Sequence, residues 1–242
     1  MLDDVPGLNY DGPAAVIELR RPREHNRIDP ADIEVIRDHL EAIRQRSESR
    51  VVVFTASGQQ TFSSGYTIQA IIETLDHRFE DLLDVIEDYP LPTICALNGS
   101  VYGGGTDLAL CCDFRIGVRG LRMFMPAAKF GLHYYPGGLR RFVTQLGLTQ
   151  AKRIFLTAQT IGDEDMNRIG FLTELVQREQ LDATVRGYVD AIAACEPLAV
   201  GSMKRQMNAI AGNALEAAGC RDDFERSLRS EELVRRVEKN LR

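Results

Sequence analysis

The chain has 242 residues, of which 44% are hydrophobic and 26% are charged, and its formal net charge is −6. This length suffices for one large domain with a substantial core, and this balance argues against disorder. The acidic charge argues against a nucleic-acid-binding protein but leaves room for a local basic pocket. The five cysteines form no pair with metal-binding spacing, so we interpret them as buried, reduced thiols. Because no leader-like N-terminus or membrane-length apolar run is present, we expect a cytoplasmic protein.

The first half of the chain alternates short apolar strands with amphipathic helices. The first predicted helix begins at Pro30, because proline suits the first helical position and the preceding Asp29 is a good N-cap. We predict further helices over 68–75, 79–86 and 107–112, and strands over Ala14–Leu19, 51–55, 92–97, Phe114–Val118 and 123–126. This alternation predicts a parallel α/β core.

From about residue 145 onward the apolar pattern becomes helical. We predict helices over 150–156, 162–168, 180–194, 198–211 and 222–241. The chain contains no repeat, no low-complexity segment and no long linker. We therefore predict a core domain over 1–195 followed by a helical C-terminal region over 196–242.

A run of three glycines is the most informative feature of the sequence. Gly103, Gly104 and Gly105 lie directly before a predicted helix, so the backbone can approach a bound atom closely. Unpaired N–H groups at a helix start, supported by the helix dipole, can hold an oxyanion. Asp107 lies one turn into this helix, beside the predicted anion site, unless it serves only the helix dipole. The combination indicates carbonyl or thioester chemistry.

Residues 91–116 resemble the signature of the crotonase superfamily, the enoyl-CoA hydratase/isomerase family, and weaker matches extend over nearly the whole chain. The resemblance implies an α/β fold, the ClpP-like crotonase spiral of ββα units, with a helical C-terminal region that builds trimers and often hexamers. It also implies an acyl-CoA thioester substrate, which carries its own coenzyme A, so that no separate cofactor or metal is expected. Neither nucleic acid nor membrane is implied as a partner.

The resemblance also implies roles for individual residues. The backbone amides of Tyr66 and Gly104 would hold the thioester oxygen and stabilise an enolate. An arginine fork suits phosphate, and the basic loop matches the family's CoA-binding segment, although the loop could instead be merely solvated. The residues implied to contact the acyl-CoA are Arg23, His25, Arg27, Ser64, Gly65, Ile68 and Gly103.

The acids of the site depart from the hydratase pattern. Hydratases of this family use two glutamates, of which the first maps onto Asp107 and the second onto Ala127. We expect hydration or a related lyase step, with Asp107 orienting water or transferring a proton. His133, Tyr134 or Tyr135 could replace the missing acid.

Two alternatives to hydration remain open at the level of sequence. Tyr134 matches a tyrosine of the family's methylmalonyl-CoA-type decarboxylases, which implies decarboxylation of a malonyl-type thioester. The second alternative is a catalytically weak acyl-CoA-binding protein, because Ala127 cannot act as an acid or base.

Overall fold

The protein is described by a computed structural model that covers residues 4–73, 77–212, 225, 228, 229 and 231–240. Its larger sheet has six strands in the order β1-β2-β3-β5-β7-β10, and only the β1–β2 pair is antiparallel. These strands are β1 (Gly7–Asp11), β2 (Ala14–Leu19), β3 (Val51–Ala56), β5 (Thr93–Leu97), β7 (Phe114–Val118) and β10 (Glu174–Val176). Every residue of β5 is buried, as expected for a continuous apolar run in a parallel sheet.

A second, smaller sheet has the order β4-β6-β8-β9. Its strands are β4 (Thr61–Ser63), β6 (Ser100–Tyr102), β8 (Arg122–Phe124) and β9 (Ile161–Gly162). Three times in succession, a strand of the larger sheet is followed by a strand of the smaller sheet and then by helix. This repetition confirms the predicted spiral of ββα units.

Helices cover the sheets and form the C-terminal region. They are α1 (Pro30–Arg44), α2 (Ile68–Glu73), α3 (Arg78–Glu87), α4 (Gly104–Cys111), α5 (Ala127–Phe130), α6 (Pro136–Leu146), α7 (Leu148–Thr157), α8 (Asp163–Arg168), α9 (Leu181–Ala193), α10 (Pro197–Gly212) and α11 (Glu231–Asn240). Asp29 caps α1 in a capping box with Asp32, and Pro30 is its first residue, as predicted. No helix in the described ranges is both long and apolar enough to cross a bilayer.

The structure differs from the sequence prediction in several places, and part of the prediction falls outside the described residues. Strands β1, β4, β6, β9 and β10 were not predicted. The predicted strand at 123–126 ends at Phe124, because Pro126 caps the short helix α5. Cys195 is exposed, whereas Cys95, Cys111 and Cys112 are buried as expected; Cys220 lies outside the described residues. Of the helix predicted over 222–241, the described part is α11 together with a few isolated positions, and the end of the helix predicted over 68–75 also falls outside the description.

Candidate active site

The glycine run forms the start of α4, and its backbone leaves no room for side chains. Gly103 caps the helix with φ of 51°, and Gly65 of the neighbouring loop has φ of 85°, which are conformations that residues with a Cβ rarely adopt. A Cβ on Gly65 would collide with the amide nitrogen of Gly104 and would lie 2.8 Å from that of Gly105. Glycine is therefore required where the loop meets the helix.

The amides of Tyr66 and Gly104 lie next to each other at this junction. A Cβ built on Gly104 would be 3.3 Å from the amide nitrogen of Tyr66. The loop is held in place because Ile28 donates its N–H to the Gly65 carbonyl at 2.8 Å and accepts from the Thr67 N–H at 3.0 Å. As the first residue of α4, Gly104 has an N–H without a partner inside the helix. The structure thus brings the two predicted donors together.

Phe79 of α3 closes the apolar side of this junction. Its ring lies over Gly104, since a Cβ there would be 2.9 Å from the ring, and it stacks on Tyr66 with a centroid distance of 5.1 Å. An apolar cover keeps the local dielectric low and strengthens any hydrogen bond that the amides make. Sequence reasoning did not single out Phe79, because its spacing marks only a buried helix face.

Asp107 is completely buried and is bound by an arginine. Arg141 of α6 donates from Nε to Oδ1 at 2.8 Å and from Nη2 to Oδ2 at 3.2 Å, and its own side chain is also completely buried. This two-point ion pair was not predicted. Nothing in the local pattern of an amphipathic helix marks Arg141 as inward-facing.

Tyr134 and Tyr135 complete the surroundings of the carboxylate. Their rings stack at 4.3 Å, the hydroxyl of Tyr134 donates to Oδ2 of Asp107 at 3.2 Å, and that of Tyr135 donates to the same oxygen. The two hydroxyls are 3.0 Å apart. Burial, and then the charge of Asp107, raises the pKa of both tyrosines well above the usual value, so that both stay protonated and act as donors.

Gly138 makes this packing possible. A Cβ at Gly138 would lie 2.7 Å from Cδ1 of Tyr134 and 2.8 Å from Oδ2 of Asp107. His133, the other predicted candidate, places Nδ1 2.8 Å from the Tyr134 carbonyl oxygen and is partly exposed. Ala127 is buried at the start of α5 and supplies no second acid.

The residues predicted to bind coenzyme A have varied surroundings. Arg23 is exposed, whereas Arg27 forms ion pairs with Glu24 and Asp29. The Nδ1 atom of His25 is 3.0 Å from Oγ1 of Thr61. The carbonyl oxygen of Ser64 faces Gly103, and Ile68 begins α2, although its side chain lies outside the description. Their role stays a prediction.

The α/β fold places two adjacent backbone amides and a buried carboxylate at one helix start, as the sequence predicted. A family model described as enoyl-CoA hydratase/isomerase matches residues 11–230, and the chain belongs to this family. The match confirms the resemblance noted from the sequence.

Individual relatives agree with this assignment. The chain is 30% identical to crotonyl-CoA hydratase of Syntrophomonas wolfei, over 80% of this chain and 77% of that protein. It is 28% identical to short-chain-enoyl-CoA hydratase of Clostridium acetobutylicum, over 83% and 80% respectively. Among solved structures, methylmalonyl CoA decarboxylase shares the fold with a TM-score of 0.89 at 23% identity, over 98% of this chain and 94% of that one.

Proposed function

We propose that the protein is a hydratase-like lyase that acts on acyl-CoA thioesters by stabilising a thioester enolate. The observation that carries this proposal is the adjacency of the Tyr66 and Gly104 amides beneath Phe79. Negative charge develops on the thioester oxygen as an enolate forms, and two fixed N–H donors in an apolar site lower its energy. Hydration of an enoyl thioester is the first reaction to test, because the curated relatives named above are hydratases.

The tyrosine pair supplies the proton that an enolate needs. A thioester enolate is a much stronger base than a phenolate, so a tyrosine whose pKa is raised can still protonate the α carbon. Asp107 does not have to touch the substrate in this scheme, because its two oxygens already accept four hydrogen bonds. We propose that Asp107 acts by aligning the hydroxyls of Tyr134 and Tyr135.

A second candidate reaction is decarboxylation of a malonyl-type thioester, and a specific observation favours it. Hydration needs a base for the attacking water, whereas Asp107 is engaged by Arg141 and Ala127 provides no alternative. Loss of CO₂ needs no base: the carbon–carbon bond electrons move into the thioester to give the enolate, and a tyrosine proton then adds to the α carbon. The same amides and the same donors serve both reactions.

We also propose the coenzyme A contacts, the assembly and the cellular location of the enzyme. Arg23, His25 and Arg27 would contact the phosphates of coenzyme A, which the substrate carries, and no other cofactor or metal takes part. Assembly into trimers or hexamers is supported by apolar side chains that α10 leaves exposed, namely Leu198, Met203, Met207 and Ile210. We place the protein in the cytoplasm.

One experiment separates these activities. Purified protein is incubated with crotonyl-CoA and, separately, with methylmalonyl-CoA, while enoyl absorbance and product masses are followed. Loss of absorbance with gain of water supports hydration, and loss of CO₂ supports decarboxylation. Tight binding of both thioesters without turnover would overturn the proposal and favour a binding protein. The matched reference is Gly65→Ala, which crowds the amide site and should slow either reaction by about 10²–10³-fold.

A further inference from the structure

Arg141 is a buried cation that the resemblance to the family does not account for. All three of its guanidinium nitrogens are engaged: Nε and Nη2 with Asp107, and Nη1 with Asp84 at 2.7 Å and Glu87 at 3.0 Å. Burying a charge this deeply is costly, and here the partners compensate it. Within the described residues, Arg141 is also the only cation that forms an ion pair with Asp107.

The neighbouring Arg140 shows that joining α6 to α3 does not require Arg141. Arg140 donates from Nη1 to Oε1 of Glu87 at 3.0 Å and from Nη2 to the other oxygen of the same carboxylate. This two-point pair already connects the two helices at their partly exposed edge. The fork that Arg141 directs at Asp107 therefore serves another purpose.

Arg141 contacts both oxygens of the Asp107 carboxylate and so sets the plane of that group. Because a guanidinium fork contacts both oxygens, it fixes the orientation of the Asp107 carboxylate as well as its charge. The same Oδ2 atom accepts from both tyrosine hydroxyls. We infer that Arg141 is a positioning residue: it holds Asp107 as a correctly oriented anion, so that Tyr134 and Tyr135 remain aligned as proton donors. The inference rests on the proposed enolate chemistry.

Loss of Arg141 would leave the buried Asp107 carboxylate without a counter-ion and without the contacts that fix its orientation. The titratable and charged groups that surround Asp107 are Cys111 on its own helix, Tyr134 and Tyr135 on the loop, Arg141 on α6 and, beyond Arg141, Asp84 and Glu87 on α3. Of these, only Arg141 is positively charged.

The test compares Arg141→Met with Arg140→Met, which removes an adjacent arginine of the same helix. Turnover of the active thioester is measured as a function of pH. For Arg141→Met we expect kcat to fall about 10²-fold with little change in KM, as for a misaligned catalytic group. Arg140→Met should stay within about threefold of the wild type at every pH, because its ion pair is partly exposed.

Two further variants and readouts keep the test decisive. Arg141→Lys retains the charge without the fork and should recover part of the lost kcat; it also replaces Arg141→Met if that variant does not fold. Equal kcat for the two methionine variants would overturn the inference.

A wild-type protein that turns over no thioester would instead overturn the proposed function. The inference is then decided by near-ultraviolet circular dichroism of the stacked tyrosines. Loss of the tyrosine signal in Arg141→Met but not in Arg140→Met supports it, and equal signals in the two variants refute it.

Discussion

The two sides of the candidate site are built from different kinds of group, backbone amides on one side and side chains on the other. On one side, the donors are the backbone amides of Tyr66 and Gly104, and glycine at positions 65 and 104 keeps Cβ atoms away from them. On the other side, Asp107, Arg141 and the tyrosines form a network of charged and hydroxyl side chains with no exposure of the ion pair. The backbone side is therefore sensitive to added volume, whereas the side-chain side is sensitive to an unbalanced charge.

The largest effect should come from unbalancing the buried charge. Asp107→Asn leaves Arg141 without its fully buried partner and should lower the free energy of unfolding by about 3–5 kcal/mol. Turnover should be lost while coenzyme A binding persists. Asp84 also pairs with Arg141, but the Asp84 side chain is 48% exposed. Asp84→Asn should therefore lower the free energy of unfolding by about 1 kcal/mol or less. Urea unfolding of both variants measures the contrast, and similar losses would contradict it.

The backbone side can be tested by adding one carbon. Gly65→Ala should reduce kcat by about 10²–10³-fold, because the new methyl group displaces the Gly104 amide from its position. The control is Gly120→Ala, because Gly120 has φ of 84° against 85° for Gly65 but nothing lies within 4 Å of its Cβ position. Equal loss of activity in both variants would mean that strain, and not crowding of the amides, is responsible.

The hydroxyls that donate to Asp107 should matter far more than one outside the site. Tyr134→Phe and Tyr135→Phe should each lower kcat by about 10²-fold, because a general acid contributes at least that much and both hydroxyls donate to Asp107. Tyr188→Phe is the control, because its hydroxyl donates to the exposed Glu174. A Tyr188→Phe variant as impaired as the other two would refute this role of the pair.

The smallest effect concerns a tyrosine without a carboxylate partner. Tyr89 donates to the Leu40 carbonyl at 2.8 Å, and burial raises its pKa to about 12. Its contribution to stability is therefore complete below pH ~10, the value for an unfolded tyrosine, and is lost as the pH rises towards about 12. Tyr89→Phe should cost about 1 kcal/mol at neutral pH and should flatten the stability profile between those values. An unchanged alkaline slope would contradict this assignment.

Local pattern was sufficient to predict the four inner strands of the larger sheet, β2, β3, β5 and β7, and the glycine-rich helix start, but not the edge strands β1 and β10. Strands such as β3 and β5 are continuous apolar runs, and Pro30 marks the start of α1. The strands of the smaller sheet were mostly not predicted, since β9 has only two residues and pairs with β8, which lies far away along the chain. Such strands depend on tertiary contacts and carry little periodicity.

The residues of the candidate site also differ in how far the sequence could predict them. The Tyr66 and Gly104 amides were predicted from the resemblance to the family, while the glycine run gave a local signal for an anion site at a helix start. The partner of Asp107 could not, because Arg141 lies 34 residues further along the chain, and its burial depends on α4, α6 and the loop packing together. The small residue Gly138, which lets Tyr134 approach the carboxylate, has no local signal either.

Oδ2 of Asp107 and the two tyrosine hydroxyls form a triangle with more contacts than hydrogens to fill them. It has three sides within hydrogen-bonding range, but each hydroxyl brings a single hydrogen, so one side is always empty. Rotation of a hydroxyl moves the empty side without moving any heavy atom. In the proposed reaction, a proton given to the substrate by one tyrosine would be replaced from the other, so the triangle would act as a two-proton relay whose rate should respond to deuterium at both hydroxyls.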